Sequence, residues 1–120
     1  MAKPVTVVKH AVLWIDHHQA KVLHLEADAA RPDRFTEHAH DTAQHRSEVR
    51  SQHEFFAEVC DSLGGDLVVL VAGSKTALSD FRHYVDKHRP QKAKSIATYE
   101  TVDHPTDNQL SAMGRKFFER

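Results

Sequence analysis

A three-layer α/β domain built on one mixed sheet follows from three features of this 120-residue chain. Two short apolar runs, residues 10–16 and 19–26, stand back to back across a two-residue turn, the spacing of an antiparallel hairpin. Asp66 to Ala72 is apolar throughout after its first residue, as in a central strand covered on both faces. From there strand-like and amphipathic helical segments alternate, which makes the later strands parallel through right-handed crossovers. The length suits one core, so one domain over 1–120 is expected, with residues 1–8 as a flexible lead-in.

His10 to Asp16 reads as a buried strand, His17-His18 as a tight turn, and Gln19 to Glu26 as the second strand. In that second strand Ala20, Val22, His24 and Glu26 share one face, and Lys21, Leu23 and Leu25 the other. Pro32 marks a loop from Asp28 to Asp33, and Arg34 to His38 forms a short third strand. Ala39 to Arg50 is polar without an apolar period, which predicts a mobile loop, with fraying into the next helix as the alternative for its end. Ser51 and Glu54 have capping-box spacing ahead of Phe55, Phe56, Val59, Cys60 and Leu63, a helical stripe that Gly64-Gly65 closes. Gly73-Ser74 leads into a second helix with Leu78, Phe81 and Val85 inward and His88-Arg89-Pro90 at its exit. Ser95 to Val102 is a less apolar strand near an edge, ended by Pro105. Thr106 and Gln109 form a second capping box, and Leu110, Met113 and Phe117 give the last helix its core face. The order β-β-β-α-β-α-β-α matches the ribonuclease-H-like architecture.

Composition is that of an ordinary globular domain, 40% hydrophobic and 28% charged. No run approaches the roughly 18 apolar residues that cross a bilayer, and Met1-Ala2-Lys3-Pro4 lacks a signal core, so a cytoplasmic protein without membrane partners is expected. Cys60 is the single cysteine and falls on an apolar stripe, which predicts a buried inert thiol. Charge is uneven: residues 1–66 carry 7 basic against 11 acidic side chains, and residues 67–120 carry 9 against 6. Lys75, Arg82, Lys87, Arg89, Lys92 and Lys94 face only Asp80 and Asp86 in their stretch, a local basic surface suited to phosphate. Eleven histidines add groups that can titrate, ligate metal or stack on bases.

Several constellations bear on chemistry. Metal-dependent phosphodiester cleavage needs carboxylates gathered at strand ends, and Asp16, Asp103, His104 and Asp107 are the candidates, with Asp66 at the opposite end of its strand. Zinc could draw on His38, His40 and His45 or on His17 and His18, but adjacent histidines diverge and no Cys cluster fixes a tetrahedron. Ala72-Gly73-Ser74-Lys75-Thr76 follows a strand and opens a helix, so its amides and Lys75 suit an anion, although it lacks the upstream glycine of a P-loop. A plain Ser74 helix cap is the alternative, as is a folding-only cap at Thr106.

Ala11-Val12-Leu13-Trp14-Ile15-Asp16 with Ala20-Lys21-Val22, then Val69-Leu70-Val71-Ala72-Gly73-Ser74-Lys75-Thr76 with Phe81, resemble the middle domain of the archaeal and eukaryotic peptide chain release factor and Pelota family. The chain also resembles small bacterial single-domain relatives described as translational machinery proteins, whose similar ending is a Val-Asp-His-Pro-Thr-Asp segment like Val102 to Asp107. The resemblance implies a ribonuclease-H-like fold and work at the ribosome. Its Gly-Gly-Gln loop would fall within Ala39 to Arg50, which contains no glycine, and Gly64-Gly65 is followed by Asp66. A noncatalytic ribosome- or RNA-associated factor in translation, stalling or hibernation is therefore expected, with no cofactor. His40, His45, Arg46 and Arg50 of the loop would probe RNA, and Lys75, Arg82, Lys87 and Arg89 would contact phosphates. The alternatives are a metal-dependent nuclease on Asp16, Asp103, His104 and Asp107, and a homodimeric module pairing through an edge strand.

Overall fold

The protein is described by a computed structural model over residues 9–25, 34–39, 48–63 and 67–118, with side chains described for 9–25, 52–63 and 67–118. The expectations for residues 1–8, for Glu26, for the loop Asp28 to Asp33, for His40, His45 and Arg46, for Gly64-Gly65 and for Asp66 lie outside the described residues. The elements are β1 Lys9–Ile15, β2 Gln19–Leu25, β3 Arg34–Ala39, α1 Glu48–Ser62, β4 Leu67–Gly73, α2 Lys75–His88, α3 Pro90–Ala93, β5 Ile96–Thr101 and α4 Asp107–Phe118.

Five strands form one sheet in the order β3-β2-β1-β4-β5. The meander β1-β2-β3 is antiparallel, and β4 pairs parallel with β1 on one side and β5 on the other. This mixed α/β sheet is compatible with a ribonuclease-H-like or release-factor-like domain. Strand period two decides which helix each residue meets. Ala11, Leu13 and Ile15 of β1 and Val69 and Val71 of β4 join Phe56, Val59, Phe81 and Val85 of α1 and α2 in the larger cluster. Val12, Trp14, Leu23, Leu70 and Ala72 point the other way, against Leu110, Met113 and Phe117 of α4. Helices on both faces make three layers. No helix among the described residues is long and apolar enough to cross a membrane.

Two glycines set how closely the layers approach. A Cβ on Gly73 would run into the backbone carbonyl of Ile15, its partner in the register. A Cβ on Gly114 would lie 2.5 Å from a Val12 methyl and 2.9 Å from a Leu25 methyl, so α4 rests on the sheet through bare backbone.

Several boundaries differ from expectation. Helix α1 begins at Glu48, so Ser51 lies inside it and is not its cap, and the loop predicted for Ala39 to Arg50 loses a residue to β3 and three to α1. Glu48 and Arg50 favour helix, and the apolar stripe downstream lets the turn extend back through them. The exit of α2 continues into the single turn α3, which Pro90 opens at the first position, where its missing N–H costs nothing. β5 stops at Thr101, four residues before Pro105, although Val102 N still donates to Gly73 O at 2.9 Å.

Candidate nucleic-acid interface

Ile15, Gly73 and Thr101 stand level across β1, β4 and β5. The turn after β1, the start of α2 and the turn after β5 therefore open at one edge of the sheet, where α/β proteins tend to place ligands. The charges there are largely engaged with one another. Asp16 Oδ1 accepts from the backbone N–H of His18 and of Gln19, each at 2.7 Å, and Asp16 N donates to Gln19 O, closing the hairpin. His17 Nε2 lies 3.0 Å from Asp80 Oδ2 of α2. Lys21 Nζ donates to Asp107 Oδ1 at 3.1 Å and ties β2 to the first turn of α4. That turn is closed reciprocally: Gln109 N donates to Thr106 Oγ1 at 3.1 Å, and Thr106 N to Gln109 Oε1 at 2.8 Å. Asp103 and His104 are exposed, with the His104 ring 6.4 Å from that of Trp14. Of the four nuclease candidates, Asp16 and Asp107 thus hold a turn and a joint. Among the described residues no three His, Cys, Asp or Glu come together to hold a metal ion.

The basic residues are arranged otherwise. Ser74 caps α2 by accepting from Ala77 N at 3.3 Å, which aims the helix so that residues three and four apart form one wall of a groove. This groove, of about 420 Å³, runs between α2 and β5. Lys75, Ser79, Arg82, His83 and Asp86 line it from the helix, and Tyr99 and Thr101 from the strand. Arg82 lies 5.3 Å from the Tyr99 ring centroid, and its Nε is 4.0 Å from Asp86 Oδ2. Exposed ion pairs of that length hold little energy, so Arg82 keeps its charge available. Burial, aided by the Asp86 charge and opposed by Arg82, pushes the Tyr99 hydroxyl up to about 12, so it remains a donor at neutral pH. Seven residues of helix separate Lys75 from Arg82 by about 10 Å. Two cations at that spacing beside two hydroxyls, with Arg82 held over the Tyr99 ring, can take phosphates.

No protein-family model matches the chain, and no curated protein matches it. Solved structures share its fold. The archaeal translation termination factor aRF1 is 21% identical, with TM-score 0.62 over 85% of this chain. Pelota of Archaeoglobus fulgidus is 19% identical, with TM-score 0.64 over 92%, and Pelota of Thermoplasma acidophilum 12% identical, with TM-score 0.61 over 94%. The chain spans 32%, 31% and 36% of those proteins, about a third of each, consistent with the likeness to a middle domain read from the sequence.

Of the basic residues singled out in the sequence, Lys75 and Arg82 come together in the groove and Lys87 is exposed outside its lining. Arg89 does not belong with them. Its guanidinium donates to Asp61 Oδ1 of α1 at 2.6 Å, and hydrogen bonds to Asp61 and then Tyr84 hold its pKa above the ordinary arginine value. It pins α2 to α1. Arg50 sits in the first turns of α1. His83 and Tyr99 were not singled out, although His83 follows Ser79 by one helical turn and Tyr99 is an aromatic on a sparsely apolar strand.

Proposed function

We propose that the chain is a noncatalytic ribosome- or RNA-associated factor acting in translation, stalling or hibernation, in the cytoplasm and without a cofactor. The observation that carries this reading is the fold shared with a translation termination factor and two Pelota proteins. RNA meets the protein along the α2–β5 groove, where Lys75 and Arg82 take phosphates, with Arg82 held over the Tyr99 ring. Residues His40, His45, Arg46 and Arg50 supply a second contact on the strength of their sequence. The segment 39–50 that would house a Gly-Gly-Gln loop contains no glycine, which supports binding without peptidyl-tRNA hydrolysis. The engagement of Asp16 and Asp107 in hydrogen bonds argues in the same direction against metal-dependent cleavage.

Co-sedimentation with ribosomes tests the reading. Association is expected at low salt and should weaken steeply as salt rises, because phosphate contacts release counterions. Absence of association at low salt, with ribosomes from both growing and stationary cells, would overturn it. Cleavage of labelled RNA on addition of magnesium or manganese would replace it with the nuclease reading.

A further inference from the structure

On the opposite side of α2 from the groove, His53 of α1 and His88 of α2 bring their rings to 5.5 Å between centroids, tilted by 58°. Both side chains are exposed. Both rings lie tilted against Tyr84, whose centroid is 5.3 Å from that of His53 and 5.0 Å from that of His88. Tyr84 itself is buried and packs on Phe56 at 5.7 Å, so the platform beneath the two imidazoles belongs to the core. One residue beyond His88, the Arg89–Asp61 pair locks the end of α2 to α1. The two histidines therefore come from different helices whose separation is already set.

We propose that His53 and His88 together bind a divalent transition-metal ion, Zn²⁺ being the tetrahedral case, with water completing the coordination. The geometry carries the inference. A zinc–nitrogen bond of about 2.0 Å and a ring radius near 1.2 Å put each imidazole centroid about 3.2 Å from the metal, so two imidazoles at a tetrahedral angle lie about 5.2 Å apart. The observed 5.5 Å is close to that value. Arg89, one residue beyond His88, is compensated by Asp61 at 2.6 Å. A site with two protein ligands binds less tightly than a closed structural one and keeps exchangeable positions. Because the pair exists only when α1 and α2 are packed, the metal binds the folded state and clamps the two helices.

Thermal unfolding of the full chain with and without Zn²⁺ tests this, with calorimetric titration for stoichiometry. A rise in Tm of about 5 °C is expected at tenfold excess over the dissociation constant. His53→Gln and His88→Gln should each abolish the rise while leaving the metal-free Tm in place, and His83→Gln, on the groove side of α2, should keep it. No rise in the parent chain, a rise that survives either substitution of the pair, or its loss in His83→Gln would overturn the proposal.

Discussion

The turn edge of the sheet and the groove beside α2 are neighbours on the same helix, yet they use charge in opposite ways. At the edge Asp16 is taken up by two backbone amides, Asp107 by Lys21 and Asp80 by His17. In the groove Lys75 and Arg82 remain exposed, with Arg82 over the Tyr99 ring. A carboxylate at a strand end serves as a metal ligand only if nothing local captures it first. A hairpin amide two or three residues away is within reach, and Asp16 illustrates the outcome. Long basic side chains on a helix have no such backbone partner, because they need acceptors and the helix carbonyls beside them already accept from the next turn.

Substitutions should separate the two regions cleanly. Gly73→Ala, where edge and groove meet, should cost about 3 kcal/mol of stability, since the added Cβ meets a backbone carbonyl that cannot turn aside. Urea denaturation will show it. Lys75→Ala with Arg82→Ala should weaken RNA binding about tenfold and reduce its salt dependence by about two ions, with the urea midpoint unchanged. An equal loss of affinity from Asp16→Ala would erase the distinction. That substitution should instead cost about 1 kcal/mol of stability, as for a lost helix cap, and leave RNA binding alone.

The smallest effect concerns Tyr99. Its folded pKa of about 12 exceeds the ordinary 10, so in alkali the unfolded chain loses its proton first. The Tyr99 contribution is thus complete below pH 10 and lost as pH rises toward about 12. Urea midpoints across that window should fall less steeply for Tyr99→Phe, which keeps the ring face and so the neutral-pH affinity for RNA.

Sequence pattern carried the sheet because apolar period and turn chemistry agreed. Val69 to Ala72, the Ser74 cap and the Thr106–Gln109 box could each be read locally, and each is realised. The start of α1 was illegible, since Ser51 and Glu54 offered a cap of the right spacing inside a helix that continues through polar residues to Glu48. The groove was half legible. Lys75 and Arg82 declare themselves by charge, whereas Tyr99 becomes a binding group only when β5 lies beside α2. Arg89 misled for the same reason in reverse, because its partner Asp61 is 28 residues away and its pairing depends on helix packing.

The division of the core between the two faces also sorts the chromophores. Trp14, the single tryptophan, lies on the α4 side, while both tyrosines, Tyr84 and Tyr99, pack on the α1–α2 side. Tryptophan emission therefore registers the docking of α4, and tyrosine emission the other layer. If α4 leaves as its own cooperative unit, carried off a cluster much smaller than the one opposite, the two signals will change at different denaturant concentrations, and the chain will report the order of its own disassembly in two colours.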